Sequence, residues 1–241
     1  MFGKLVVELA VRADALSRAY GVQVILTPQH TDLAPVASAV SDVLVFAQHM
    51  DSLRPGRGVG SVLPEAVRAS GAVGVLLNHV ERRLPWAELS VAIQRAAEVG
   101  LATMVCADDT DDAVRIAALR PNIIIVEEPL LIAGGRRDED SRLQVSAANS
   151  AIWGVDPQIR VLHGAGINDA SDVYEVIAAG AQGTGSSSAI FNADDPGAML
   201  ESMVAAVRKA WDERTQLDGG RSYVGVPRNV QRPVGSTPDI P

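Results

Sequence analysis

Two short stretches of the chain hold residue types that move protons. Asn78-His79-Val80-Glu81-Arg82-Arg83 follows the apolar run 72–77, and Glu127-Glu128-Pro129 follows Ile123–Val126. In each, polar groups appear where a buried strand ends. Imidazole is the side chain best able to donate or accept a proton near neutral pH. Side chains alternate along a strand, so one of Glu127 and Glu128 points into the mouth of the sheet and the other away. A carboxylate half-buried at such a mouth is partly stripped of water and becomes a stronger base. His79 and Glu127 are the candidate acid–base pair, provided both face one substrate. A plainer reading stands beside each. His79 closes hydrogen bonds between loops, Glu81, Arg82 and Arg83 form an ion-paired solvated face, and the two glutamates bridge to Arg136 or Arg137.

Three late loops offer a second kind of chemistry. Ala133-Gly134-Gly135, Gly164-Ala165-Gly166 and Ser187-Ser188 each follow a late strand, and the last two precede helices. Exposed backbone N–H groups there, helped by a helix dipole, suit a phosphate dianion. Any tight turn also uses glycine, so it is the recurrence that counts. His30, His49 and His163 lie at strand ends too, but no His/Asp/Glu set shows ligand spacing on one element, and no metal is expected. The lone Cys106 reads as a small core residue.

These residues need a scaffold. The chain has 241 residues, 47% of them hydrophobic, which is ample for a full core. The formal charge of −8 argues against a nucleic-acid partner, yet leaves room for a small anion held by backbone N–H groups and local cations. One cysteine excludes an internal disulfide framework and suits a reducing cytoplasm. No signal peptide is read at the start, and the apolar runs are too short to cross a bilayer, so no membrane partner is expected. Aromatics make up only 4%, leaving a core of Ala, Val, Leu and Ile that suits parallel strands buried on both faces.

In order, the pattern predicts a helix over Lys4–Tyr20 with Leu5, Leu9, Ala13, Leu16 and Tyr20 on its buried stripe, stopped by Gly21. Strands follow at 22–27 and 42–47 with a short helix, Leu33–Ala39, between them. Residues 50–63 form a Gly- and Pro-bearing loop, and Pro64 opens a short helix. After the strand at 72–77, Pro85 begins a helix with Trp86, Leu89, Ile93 and Ala97 on one stripe, ending at Gly100. A strand at 101–106 leads to an acidic turn, 108–112, that caps a helix to Leu119. After Ile123–Val126 come a loop over 130–135, a helix over 141–153, a strand at 159–163, a helix capped by Asp169 or Ser171, and a weak strand at 181–186. The last helix runs from about Pro196 to Trp211.

Strands alternate with helices on short connections, which means βα units and a parallel sheet. About eight such units in about 250 residues make a closed barrel the simplest arrangement. Seven strands are read, and the chain starts with a helix where a barrel starts with a strand. An open doubly wound sheet is the alternative, but no Gly-x-Gly-x-x-Gly follows an early strand. The domain reading is a single unit over 1–214 with a C-terminal tail, 215–241, of little structure of its own.

Asn78-His79-x-Glu81-Arg82-Arg83, Val126-Glu127-x-Pro129 and Gly164-Ala165-Gly166-Ile167 together resemble triosephosphate isomerase, the short archaeal-type branch in particular. Ala47-Gln48-His49, Pro55-Gly56, Val62-Leu63-Pro64-Glu65-Ala66, Gly71-Ala72-Val73-Gly74, Ala97-Glu98-Val99-Gly100-Leu101 and Asp195-Pro196 extend the similarity over about residues 15–210. The resemblance implies a (β/α)8 TIM barrel and interconversion of an aldose and a ketose phosphate. It makes His79 the electrophile that polarises the substrate carbonyl and Glu127 the base that moves a proton between adjacent carbons. It makes 130–135 a lid, with Ile132, Gly134 and Gly135 beside the substrate, and puts Gly164, Gly166, Ser187 and Ser188 at the phosphate. It implies a small sugar-phosphate substrate, no cofactor, no metal, and a homo-oligomer, dimer or tetramer, assembled through the loop matching residues 50–63.

The chain departs from that family at named points. The family's first strand, with an Asn-x-Lys motif, precedes the point where this chain begins, and Lys4 lies in a helix; the barrel is expected to lack that strand. Val80 stands for a serine, Glu128 for a proline, Ala133-Gly134-Gly135 for Gly-Thr-Gly, Val59 for a threonine and Ala189 for a glycine. The activity that the resemblance implies is interconversion of dihydroxyacetone phosphate and glyceraldehyde 3-phosphate. The alternatives are an isomerase of another short sugar phosphate and a weakened phosphate-binding paralogue.

Overall fold

The fold is seen in a computed structural model that describes residues 1–128 and 139–217. The seven strands are β1 (Ile25–Leu26), β2 (Leu44–Ala47), β3 (Gly74–Leu77), β4 (Ala102–Ala107), β5 (Ile123–Val126), β6 (Arg160–His163) and β7 (Gly183–Thr184). They pair in strict chain order and always in parallel. A doubly wound sheet reverses its strand order part-way, whereas a (β/α) barrel steps one place in the same direction each time. The order here is the barrel's. Among the described residues no pairing joins β7 to β1.

The nine α-helices of the described residues are α1 (Lys4–Tyr20), α2 (Leu33–Ala39), α3 (Pro64–Ala69), α4 (Trp86–Glu98), α5 (Thr110–Ala117), α6 (Glu139–Val155), α7 (Ala170–Ala178), α8 (Ser188–Phe191) and α9 (Pro196–Leu217). α9 packs against both α7 and α1, so the helix layer continues across the gap between β7 and β1. Alternation sorts the strand residues into two apolar layers. Val45, Val75, Val105, Ile124 and Val161 face the helices, while Phe46, Leu76, Met104, Ile125 and Leu162 face inward. Phe46 lies across Gly74, where a Cβ would meet its ring, which fixes glycine at that inward position.

Several expectations are corrected. β1 is two residues long, not six, because among the described residues it has a neighbour on one side alone. In α1 Ala13 and Leu16 are buried as expected, together with Val6, Ala10, Asp14 and Ser17; Leu9 and Tyr20 pack partly buried against the same core, and Leu5 is exposed. In α4 the stripe runs through Leu89, Ala92, Ile93 and Ala96; Ala97 is exposed, and Trp86 lies half out of the core under the Arg115 guanidinium. A 3-10 turn at His30–Asp32 and the four-residue α8 carry too short a period to be read from sequence. α6 begins at Glu139 and ends at Val155, and α9 continues through 215–217, residues first assigned to the tail. Of the two proposed caps for α7, Asp169 is the one that accepts from backbone N–H groups, those of Ser171 and Asp172. Residues 218–241, expected as a tail, and 130–135, expected as a lid, lie outside the described residues.

Candidate active site

β3 and β5 run parallel and end at the same end of the sheet, and that brings His79 and Glu127 together. Asn78, one residue beyond β3, turns the chain sharply. Its φ of 61° is left-handed, a conformation asparagine tolerates better than most side chains. Its side chain locks the turn: Nδ2 donates to the Cys106 carbonyl at 3.0 Å, and Oδ1 accepts from the Leu84 N–H at 3.1 Å. Arg83 donates to the Asn78 carbonyl and pairs with Asp108. Thus β3, β4 and the loop after His79 are held as one piece.

His79 is 29% exposed and Glu127 16%, and His79 Nε2 lies 3.9 Å from Glu127 Oε2. That distance exceeds a hydrogen bond, so the two groups face each other across a gap. The backbone N–H of Glu81 reaches His79 Nδ1 at 3.4 Å. A ring nitrogen that accepts there leaves the proton of a neutral imidazole on Nε2, the nitrogen turned toward Glu127.

Glu127 is seated by three neighbours. Its N–H donates to the Ala107 carbonyl at 2.9 Å, which carries the β4–β5 ladder one residue past the strand. The buried Cys106 thiol lies near enough to feel the carboxylate's charge. Burial first, and then the nearby Glu127 charge, push the thiol well above its ordinary range. The third neighbour is Gly164. A Cβ on Gly164 would lie 2.8 Å from Glu127 Cγ and 2.9 Å from Cδ. Cys106 belongs to the inward core layer, as its sequence context suggests; that it and Gly164, a residue expected at a phosphate, both lie beside Glu127 is a through-space fact across separate strands.

The ion-paired reading of the charged cluster holds in part. Arg82 lies 3.7 Å from Asp51 and Arg83 pairs with Asp108, while the Glu81 side chain is largely exposed. The other histidines each have hydrogen-bond partners of their own. His30 Nε2 bonds the His49 carbonyl at 2.8 Å, and His49 Nε2 lies 3.2 Å from Asp51 Oδ1. Burial holds the His49 imidazole below its usual range despite Asp51, so this contact is a hydrogen bond to a neutral ring. His163 Nε2 bonds Asn149 Oδ1 at 2.9 Å. Among the described residues no three His, Cys, Asp or Glu side chains gather as a metal-ligand set.

The late loops come side by side. Ala165 and Gly166 adopt φ of 59° and 68°, and Ser186 Oγ donates to the Ile167 carbonyl at 2.9 Å. Ser187 and Ser188 are exposed at the start of α8. Arg136, Arg137, Ile132, Gly134 and Gly135 lie outside the described residues.

Among the described residues no helix is long and apolar enough to cross a membrane. A family model described as triosephosphate isomerase matches residues 3–207. The triosephosphate isomerase of Sulfurisphaera tokodaii is 35% identical over 214 residues, covering 88% of this chain and 93% of that one. That of Methanobacterium bryantii is 34% identical over 206 residues, covering 85% and 91%. The crystal structure of triosephosphate isomerase from Bartonella henselae aligns with a TM-score of 0.68 over 86% of this chain and 95% of that one; at 17% identity it bears on the fold, a TIM barrel. With the family model spanning most of the chain, and these relatives matched over nearly their whole length, the chain belongs to the triosephosphate isomerase family.

Proposed function

We propose that this protein interconverts dihydroxyacetone phosphate and glyceraldehyde 3-phosphate, with Glu127 as base and His79 as electrophile. The observation that carries the reading is the facing pair: His79 Nε2 and Glu127 Oε2 stand 3.9 Å apart, with Glu81 N–H directing the imidazole proton toward the gap. A substrate held between them meets a carboxylate at one carbon and an N–H at the adjacent oxygen. Glu127 takes the proton from C1, and the C–H electrons form the C1–C2 double bond. The C2 carbonyl oxygen, polarised by the His79 N–H, becomes the enediolate oxygen. The proton of the C1 hydroxyl reaches O2 by way of His79, and Glu127 returns its proton to C2. A neutral histidine beside a glutamate base is the family's pairing.

The loops 164–166 and 186–188, together with the lid 130–135, would hold the phosphate. Val80 and Ala133-Gly134-Gly135 motivate the second reading, an isomerase of another short sugar phosphate. A coupled assay over three- to five-carbon sugar phosphates separates the two. The triose is expected to give the highest kcat/KM; a preference for a longer sugar selects the second reading. If Glu127→Asp leaves isomerisation unchanged, the mechanism is wrong.

The same reading carries self-association in the cytoplasm. Residues 54–61 form one exposed run with Val59 wholly exposed, a shape suited to insertion into a second copy. Light scattering is expected to give the mass of a dimer or tetramer; a monomer at micromolar concentration would refute this part.

A further inference from the structure

The carboxylate of Glu127 rests on the backbone of Gly164, with no side chain between them. Whatever fixes Gly164 therefore sets how far the carboxylate reaches toward His79. Gly164 directly follows His163, the last residue of β6, and His163 is held from two sides.

The first hold is on its side chain. His163 is 2% exposed and points away from the barrel interior, and its Nε2 bonds Asn149 Oδ1 at 2.9 Å. Asn149, on α6, is also 2% exposed. Its Nδ2 donates to the Gly180 carbonyl at 3.0 Å, in the turn that leads into β7. With Nδ2 committed as donor, Oδ1 is the acceptor and the His163 nitrogen the donor. The second hold is on the backbone: Thr184 Oγ1 donates to the His163 carbonyl at 2.7 Å. Gly164 N–H in turn donates to the Val126 carbonyl at 3.0 Å, next to Glu127. The chain of bonds thus runs from α6 and β7, through the end of β6, to the residue before the base.

We propose that Asn149, His163 and Thr184 are positioning residues for the Glu127 carboxylate: they fix the end of β6 against which that carboxylate rests. None of the three touches the gap between His79 and Glu127, so they act through Gly164. A buried amide–imidazole bond is satisfied only in one arrangement of α6 against β6, and that makes the support stiff. The inference rests on Glu127 being the base of the proposed isomerisation.

The test compares two pairs of variants. His163→Leu and Thr184→Val remove a donor at similar volume; His163→Gln and Thr184→Ser keep one. In the triose phosphate assay the Leu and Val variants are expected to lose about tenfold in kcat with KM within about twofold of the parent, because a misplaced base costs rate and not phosphate binding. The Gln and Ser variants are expected to recover most of that loss. The 13C signal of the Glu127 carboxyl group, assigned by its disappearance in Glu127→Gln, is expected to move in the first pair and not in the second. Unchanged kcat in the Leu and Val variants, or losses as large in Gln and Ser, would overturn the proposal. If the parent protein does not isomerise triose phosphate, or Glu127→Gln still does, the functional reading fails by itself. The carboxyl signal then decides the positioning claim alone: a shift in the Leu and Val variants supports it, and none overturns it.

Discussion

Substituting Gly164 by alanine adds one methyl group where Glu127 now rests. Gly164 is not among the residues with a left-handed φ, so alanine is free of backbone strain there. The new Cβ would lie 2.8 Å from Glu127 Cγ and 2.9 Å from Cδ. Carbon atoms in contact prefer about 3.5–4.0 Å, so one of the two must retreat by about 1 Å. The backbone of Gly164 is tied to Val126, which leaves the Glu127 side chain to give way. A displacement of about 1 Å in a reacting group costs on the order of 100-fold in rate, or about 2.7 kcal/mol of transition-state stabilisation.

Steady-state isomerisation of triose phosphate reads this out. We expect kcat to fall about 100-fold with KM near that of the parent. Thermal stability should change little, because a Gly→Ala change at ordinary φ narrows the unfolded ensemble by about 0.4–1 kcal/mol and offsets part of the crowding. A different pattern would show Gly164 working mainly on the phosphate, as its sequence context suggested: KM would rise and kcat would hold. A kcat within twofold of the parent would refute the packing argument outright.

Substitutions at two further positions test the frame of the barrel. Asp14 Oδ1 accepts from the N–H groups of Ser41, Asp42 and Val43 at 2.9, 2.6 and 3.0 Å. Burial works to raise its carboxyl, but those donors and Arg18 hold it below the ordinary range. Asp14→Ala should cost about 2 kcal/mol in urea unfolding at neutral pH, since it strands the buried Val43 N–H and loses two part-buried bonds. Because the folded carboxyl is depressed, its contribution is present above the unfolded value near about 4 and fades as pH falls through the lower folded value; the parent and variant should converge in acid. Asn78→Gly loses the bonds to Cys106 and Leu84 but keeps a left-handed turn free of strain. Asn78→Ala loses the same bonds and adds strain, so it should be about 1 kcal/mol less stable than the glycine variant in thermal unfolding.

The sheet and the place of its candidate site were legible for one reason. Ile123–Val126 and the run ending at Leu77 are unbroken apolar stretches that stop abruptly at Glu127 and at Asn78-His79, and such a stop marks both a strand end and a candidate site. What was not legible depends on neighbours far apart in the chain. Gly164 reads as a turn glycine, and only the nearness of Glu127 reveals why a side chain is excluded. Asp14 sits in a helix as an ordinary surface acid would, yet it gathers three N–H groups from the start of the next strand unit. Asn149 and His163 carry no spacing signal, being joined across α6 and β6. At the start of α1 Val6 is buried where Leu5 was expected, because the two are similarly apolar and only tertiary packing chooses between them.

The most direct test of the central claim follows the proton itself. Incubate the protein with dihydroxyacetone phosphate in D2O and read the C1 hydrogens by proton NMR. Glu127 acting as the base predicts stereospecific loss of one C1 proton to solvent deuterium and deuterium at C2 of the glyceraldehyde 3-phosphate formed, with both signals falling by about 100-fold or more in Glu127→Gln. Exchange or isomerisation that persists at the parent rate in Glu127→Gln would contradict the account.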